Sequence, residues 1–143
     1  MTLKSMILTA ALALAAGTAG AETFEIQLRN KGEAGMMVFQ PSFVTAQPGD
    51  VIHFVPVDKG HNVESIEGML PEGVEAFKTN FDEEFTLTVE AEGLYGVKCT
   101  PHYALGMVAL IQVGAATNLE AAQAVKQKGK ARGRFQELLA QVQ

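Results

Sequence analysis

The sequence predicts an all-β fold, a Greek-key antiparallel β-sandwich or barrel that is followed by two C-terminal α-helices. Two observations indicate this architecture. Between residues 22 and 114, short segments of alternating polar and apolar residues are separated by turns rich in Gly, Pro and Asp. Residues 117–143 lack this alternation and show the spacing of amphipathic helices instead. A segment of this size is typical of a single domain that buries a core without disulfide bonds.

The N-terminus carries the features of a cleaved signal peptide at residues 1–21. Lys4 provides a positive charge, and the apolar run Met6–Ala16 is shorter than the about 20 residues that span a bilayer. Residues 19–21 (AGA) have the small-residue pattern of a cleavage site. We therefore expect an exported protein whose mature chain, residues 22–143, forms a single domain that does not associate with a membrane.

The strands are predicted in chain order from residue 23 onwards. Thr23–Leu28 and Glu84–Glu90 alternate polar and apolar residues, which is typical of half-buried strands. Val51–Val57 is a strongly apolar strand that lies between turn signals at residues 47–50 and 58–60. Further strands are expected at Gly35–Phe39, Ser42–Ala46, Gly93–Cys99 and Met107–Val113.

Helices are expected in three places. Residues 69–80 are irregular and are expected to hold a short helix. Thr117 and Glu120 form a capping box, in which each side chain bonds the backbone amide of the other, and this predicts a helix to about Gln127 with Gly129 as its stop signal. A second helix follows, and we expect its apolar face, spaced i, i+3, i+4, i+7, to pack against the sandwich: Phe135, Leu138, Leu139 and Val142.

The chain contains a single cysteine, Cys99. An exported protein with one cysteine cannot form an internal disulfide, and a free thiol is a liability in an oxidising compartment unless another group holds it. Cys99 is therefore either a functional residue or an inert buried cysteine, and its neighbours must decide between the two. The formal net charge of −5 argues against nucleic acid as a partner.

Three soft donor side chains lie on one short loop between two predicted strands. Cys99, His102 and Met107 form a Cys-x2-His-x4-Met arrangement with no carboxylate among them. A thiolate, an imidazole and a thioether together select copper, above all Cu(I), whereas methionine is a poor ligand for zinc. His61, which follows the apolar strand Val51–Val57, can provide the second imidazole of a His2Cys trigonal site, with Met107 as the weak axial ligand.

Three neighbouring residues are expected to support these ligands: Asn62, Thr100 and Pro101. Pro101 fixes its own backbone torsion and stiffens the loop. Asn62 can link the two ligand-bearing loops near Cys99 and Thr100, and in this way orient the ligands and tune the sulfur. The third histidine, His53, lies inside a strand without a motif and is expected to be structural.

The motif GHN at residues 60–62 and the loop CTPHYALGM at residues 99–107 resemble those of the pseudoazurins, which are cupredoxins of the bacterial periplasm. The resemblance covers nearly the whole mature chain and includes the two C-terminal helices, which plastocyanin-like relatives lack. It implies a type 1 blue copper centre, with one copper ion bound by His61, Cys99, His102 and Met107. It also implies a soluble, periplasmic, monomeric electron carrier that is not an enzyme.

The resemblance further implies how electrons enter and leave. His102 is expected to be the exposed ligand, within an apolar docking patch formed by Met37, Pro101 and Leu105. Leu105 stands where a methionine is common in the family. Nitrite reductases and c-type cytochromes of denitrifying respiration are the implied partners, which would dock transiently. In the family, lysines surround this patch and would steer acidic partners, and the candidates here are Lys31, Lys59, Lys78 and Lys98.

Three other functions are alternatives to an electron carrier. A copper enzyme would need a second site built from additional histidines, but the chain has three histidines and the predicted centre uses two of them. A periplasmic copper-binding or delivery protein is the main alternative, and it would expose its ligands and exchange its metal readily. A purely structural domain would leave an exported thiol unexplained beside His and Met at ligand spacing.

Overall fold

Eight strands form two four-stranded sheets in the computed structural model, which describes residues 20–143. The strands are β1 (Thr23–Gly32), β2 (Gly35–Gln40), β3 (Phe43–Ala46), β4 (Asp50–Pro56), β5 (Glu64–Ser65), β6 (Phe85–Val89), β7 (Gly93–Lys98) and β8 (Val108–Val113). The first sheet has the strand order β2-β1-β4-β6, and the second has the order β3-β8-β7-β5. The predicted signal peptide lies outside the described residues, except for Gly20 and Ala21.

Two α-helices follow the sandwich, α1 (Leu119–Ala124) and α2 (Ala131–Leu139). A 3-10 helix at Thr100–Leu105, which the sequence did not indicate, joins β7 to β8. In the part of the chain that the structure describes, none of the helices is long and apolar enough to cross a membrane. The predicted sandwich with two C-terminal helices is confirmed, and its two sheets do not close into a barrel.

Each sheet combines antiparallel and parallel pairs. In the first sheet, β1 is antiparallel to β2 and parallel to β4, and β4 is antiparallel to β6. In the second sheet, β8 lies between the antiparallel β7 and the parallel β3. The parallel pair of β1 and β4 arises because β3 crosses to the second sheet, after which β4 returns to the first sheet beside β1 in the same direction. Alternating polarity alone does not indicate such parallel neighbours.

The core lies on both faces of the second sheet. One cluster fills the space between the sheets and includes Ile26, Phe54 and Tyr95. A second cluster lies between the second sheet and the helices and includes Phe135 and Leu138, so the predicted packing of this helical face is confirmed. All six residues of β8 are buried because both of its faces are covered, which explains why its sequence is largely apolar and does not alternate.

The short helix predicted at residues 69–80 is wrong. The segment turns at Glu72 and Gly73 and then forms an isolated bridge between Lys78 and Glu64. Gly73 has a φ of 81°, which lies in the left-handed region and cannot continue a right-handed helix.

The capping box predicted at Thr117 and Glu120 is also wrong. The Thr117 hydroxyl donates to the carbonyl of Glu92 at 3.1 Å instead. The Asn118 side chain precedes α1 and binds the backbone of Leu94, to its amide at 2.6 Å and to its carbonyl at 2.9 Å. These contacts with a distant strand replace the local cap, and α1 ends at Ala124, short of the predicted end.

Candidate metal centre

Two loops at one end of the sandwich bring three of the predicted donors together, the two imidazoles and the thiol. Nδ1 of His61 lies 3.2 Å from Nδ1 of His102, and Sγ of Cys99 lies 3.7 Å and 3.5 Å from these two atoms, respectively. Within residues 20–143, His61, Cys99 and His102 form the one group of three or more His, Cys, Asp or Glu side chains whose ligand atoms all lie within 4.8 Å of one another. His53 lies elsewhere, with its Nε2 2.9 Å from Oε2 of Glu84.

The spacing of these three atoms fits a trigonal metal site. In a trigonal site, bonds of the lengths that zinc forms, about 2.1 Å to nitrogen and about 2.3 Å to sulfur, would place the two nitrogens about 3.6 Å apart and each nitrogen about 3.8 Å from the sulfur. The observed separations, 3.2 Å between the two nitrogens and 3.5 and 3.7 Å between nitrogen and sulfur, are shorter than these values by about 0.1 to 0.4 Å. Two imidazoles and a thiolate are the equatorial donors of a blue copper site, so the residues fit one copper ion.

The ligand loop, residues 99–107, is closed by its own backbone. The amide of His102 donates to the carbonyl of Cys99 at 3.2 Å, and the amide of Cys99 donates to the carbonyl of Met107 at 3.0 Å. Gly106, with a φ of 90°, permits the chain reversal before β8. Cys99 and Met107 are fully buried, whereas His102 is only half-buried. Both ends of the loop are therefore fixed in the core, and His102 lies between them near the surface.

His61 is held in one orientation by residues outside the predicted motifs. Its Nε2 lies 2.8 Å from Oδ1 of Asn30, and because an amide oxygen only accepts, Nε2 carries the proton and Nδ1 keeps its lone pair. The amide of Asp82 donates to the carbonyl of His61 at 2.9 Å, and Oδ1 of Asp82 accepts from the amide of Gly60 at 2.7 Å. The lone pair on Nδ1 thus faces the cysteine sulfur and the second imidazole.

Asn62 joins the two ligand-bearing loops. Its Oδ1 accepts the amide of Thr100 at 2.8 Å, and its Nδ2 donates to Oγ1 of Thr100 at 2.8 Å and to the carbonyl of Thr79 at 3.4 Å. The Thr100 hydroxyl in turn donates to Oε2 of Glu64 at 2.6 Å. Pro101 is the second residue of the 3-10 helix, in the first turn, where its missing amide leaves no hydrogen bond unmade. The effect of these residues on the metal stays a prediction.

Burial shapes the protonation of the donors. It raises the pKa of the Cys99 thiol, against the smaller opposing effect of the backbone amides of Asn62 and His102. It also lowers the pKa of His61, and the neighbouring His102 acts in the same direction. Both shifts favour neutral side chains, because a buried charge without a partner is unfavourable. A bound cation would compensate the thiolate, and a neutral imidazole is the form that binds metals.

The predicted docking residues near His102 differ in exposure. Leu105 is 47% exposed and Pro101 is also exposed, whereas Met37 is partly buried against the core. Met37 has a φ of 53° and lies across from Asn30, where the pairing between β1 and β2 is interrupted. In the described residues, three other large apolar side chains are exposed: Met36, Val57 and Phe81.

The four predicted docking lysines are not equivalent. Lys31, Lys59 and Lys78 are exposed. The Nζ atom of Lys98, in contrast, lies 4.0 Å from Oε2 of Glu64 and 4.9 Å from the centre of the Tyr103 ring. Lys98 therefore contacts the ligand loop, and its charge is partly offset. The part that any of these lysines plays in docking stays a prediction.

Three polar residues that hold the two loops carry no local sequence signal: Asn30, Glu64 and Asp82. The partners of their side chains lie between 22 and 36 residues away in the chain. None belongs to a motif with a fixed spacing, so only the folded chain brings each of them to its partner.

Comparison with known proteins points to one family. The model of the family described as copper binding proteins, plastocyanin/azurin family, matches residues 26–114. Pseudoazurin from Paracoccus pantotrophus is 57% identical over 140 residues, which cover 96% of this chain and 97% of that protein.

Solved structures agree with the sequence relatives. The crystal structure of pseudoazurin from Methylobacterium extorquens AM1 matches with a TM-score of 0.82 and 46% identity, over 85% of this chain and 99% of that one. Native pseudoazurin from Hyphomicrobium denitrificans matches with a TM-score of 0.81 and 45% identity, over 85% and 98%. With a His-Cys-His centre that fits one type 1 copper ion, the chain belongs to the pseudoazurins, cupredoxins of the plastocyanin/azurin family.

Proposed function

We propose that this protein is a monomeric carrier of single electrons in the periplasm, with one copper ion bound by His61, Cys99, His102 and Met107. When bound, the copper supplies the one-electron Cu(I)/Cu(II) couple. The observation that carries the proposal is the convergence of two imidazoles and one thiol at distances of 3.2, 3.5 and 3.7 Å. Membership of the family implies a copper electron carrier, and the ligands, the compartment and the partner are our proposal.

The residues of the chain would limit movement at the centre. Cys99 and Met107 lie at the adjoining ends of β7 and β8 and are hydrogen-bonded to each other through their backbones. Asn30 orients the ring of His61, and Asn62 holds the start of the 3-10 helix. Ligands that are fixed in this way rearrange little when the charge at the centre changes by one, which favours rapid electron transfer.

Burial of the donors favours a carrier over an enzyme or a copper-delivery protein. His61, Cys99 and Met107 are fully buried. A catalytic metal site keeps an open position for its substrate, and a delivery protein needs ligands that an acceptor can reach. The half-buried His102 is the remaining approach to the centre, and we propose its ring edge as the route of the electron.

We propose nitrite reductases and c-type cytochromes as the partners. Exposed Pro101 and Leu105 beside His102 offer a small apolar contact. Exposed lysines around this end would steer a partner with an acidic surface, which raises the association rate more than the affinity. A small contact of this kind suits a complex that forms and dissociates quickly.

The centre is tested by the visible absorption spectrum of the purified mature protein after addition of one equivalent of Cu(II), with Cys99→Ser as the matched variant. We expect an intense sulfur-to-copper charge-transfer band that bleaches on one-electron reduction, returns on oxidation and is absent from the variant. A weak band, or one that survives the loss of Cys99, would contradict the proposed ligands. Rapid release of the copper to a strong chelator would favour delivery.

The partner is tested separately by mixing the reduced protein with a purified nitrite reductase and nitrite. We expect reoxidation of the copper centre that requires both the reductase and nitrite. Turnover of nitrite by this protein alone would make it an enzyme, and an absence of reoxidation with the reductase would remove that partner while leaving the copper centre intact.

A further inference from the structure

Between its two ends, the ligand loop meets the core through Tyr103, which is partly buried against the second cluster. None of the residues in the 3-10 helix Thr100–Leu105 is buried, although this helix carries His102. The C-terminal helix α2, in contrast, is firmly anchored, because Ala131, Phe135 and Leu138 are buried against the second sheet. Residues 127–134, which lead into α2 and form its first turn, contact the loop directly.

Two hydrogen bonds join this segment to the loop. The Tyr103 hydroxyl donates to Oε1 of Gln127, whose Nε2 lies 3.2 Å from the sulfur of the fully buried Met69. The amide of Lys130 donates to the carbonyl of Ala104 at 2.9 Å. Through Gln127, the first bond links the loop to the buried Met69. The second bond links the loop to the residue that precedes the well-packed helix α2.

Two glycines allow the segment and the loop to approach closely. Gly129 has a φ of 53°, and a Cβ there would lie 2.4 Å from the carbonyl oxygen of Ala104. On the loop, a Cβ at Gly106 would lie 3.0 Å from the side chain of Arg134. Nη2 of Arg134 also lies 3.4 Å from the carbonyl oxygen of Met36 in β2. Arg134 therefore connects the loop to the first sheet as well.

We propose that residues 127–134 are a positioning element for the metal centre, which holds His102 and Met107 through the ligand loop without touching the metal. The proposal rests on the proposed copper centre. The contacts begin at Tyr103, which follows His102, and end at Gly106, which precedes Met107. Any displacement of the segment therefore acts on the stretch of backbone between these two ligands.

Gly129→Ala and Gly133→Ala form a matched pair of variants. Both add one methyl group to a glycine of the tail, but a Cβ at Gly133 meets nothing within 4 Å and lies in α2, where Ala is preferred to Gly. A third variant, Tyr103→Phe, keeps the ring and removes only the hydroxyl that contacts Gln127. The measurements are the reduction potential and visible spectrum of the copper-loaded protein, hydrogen exchange of the loop amides, and thermal unfolding.

We expect Gly129→Ala to change the ratio of the Cu(I) and Cu(II) affinities at least threefold, a shift of about 28 mV in the potential of a one-electron couple. It should also speed the exchange of the Met107 amide, which donates to the carbonyl of His102 at 3.1 Å. Tyr103→Phe should shift the potential in the same direction by a smaller amount, and Gly133→Ala should leave potential, spectrum and exchange unchanged.

The proposal is wrong if Gly129→Ala and Tyr103→Phe lower only the unfolding temperature and match Gly133→Ala in potential, spectrum and exchange. The segment would then merely cover the second sheet. If Gly129→Ala does not fold, Tyr103→Phe alone decides. If the proposed copper centre itself is wrong, the unmodified protein lacks the charge-transfer band. That result is therefore distinguishable from a failure of the positioning role of residues 127–134.

Discussion

Asn62→Ala removes three hydrogen bonds at the metal centre without changing a proposed ligand. Asn62 is 2% exposed, and its loss leaves the amide of Thr100 without an acceptor. A buried donor without a partner costs about 1 to 3 kcal/mol, and an ordinary hydrogen bond contributes about 0.5 to 1.5 kcal/mol. The bond to Thr79 is long at 3.4 Å, and the Thr100 hydroxyl keeps its bond to Glu64. We therefore expect a loss of about 2 to 4 kcal/mol in the free energy of unfolding.

Asn118→Ala is the matched control, because Asn118 makes a similar pair of bonds away from the centre. Its side chain binds the amide and the carbonyl of Leu94, near the start of β7, whereas Cys99 follows the other end of that strand. Urea unfolding of the metal-free variants should show similar losses of stability. Only Asn62→Ala should change the centre, with a loss of copper affinity of about tenfold or more in competition with a chelator.

Two results would refute this reasoning. If Asn62→Ala loses stability but keeps both the reduction potential and the copper affinity of the unmodified protein, Asn62 supports the fold alone. If Asn62→Ala and Asn118→Ala lose copper affinity equally, the affinity follows global stability, and the contact with Thr100 has no specific effect on the centre.

Three further predictions concern other residues. Asn30→Ala removes the acceptor of His61 Nε2 and should lower the copper affinity, measured by competition with a chelator, about 10- to 100-fold. Asn30→Asp keeps an acceptor, so its copper affinity should lie closer to that of the unmodified protein. Unchanged affinity in Asn30→Ala would contradict the orienting role of Asn30. Lys59→Glu reverses an exposed charge two residues before His61. Stopped-flow mixing with an acidic partner should show slower electron transfer, with a rate that depends less on the salt concentration. Equal rates for the variant and the unmodified protein at low salt would count against steering. Hydrogen bonds from the backbone lower the pKa of the Asp50 carboxyl group in the folded protein. The ionised carboxylate therefore stabilises the fold at pH values above the unfolded pKa of about 3.9. This contribution is lost as the pH falls through the lowered pKa of the folded protein. Urea unfolding from about pH 5 to about pH 2 should therefore depend less on pH in Asp50→Asn, and identical pH profiles would exclude this role.

The convergence of His61, Cys99 and His102 was predictable because its information is local. Cys99, His102 and Met107 fall in one loop whose donor chemistry is specific, and His61 follows a clear apolar strand. Strand positions were also predictable where one face is buried and polarity alternates. The short helix at residues 69–80 failed because an irregular segment gives no periodic pattern, and its turn is set by Gly73.

Polar contacts between distant segments account for what the sequence could not indicate. An amide side chain offers a donor and an acceptor together, so one buried Asn can hold a second segment of chain at two points. Asn62 does this for Thr100, 38 residues away, and Asn118 does it for Leu94, 24 residues away. The contact of Asn118 helps to explain why the local capping box at Thr117 does not form, since the packing of the sandwich selects the partners. The centre therefore depends on the whole sandwich for its geometry, although its proposed ligands lie in two short motifs.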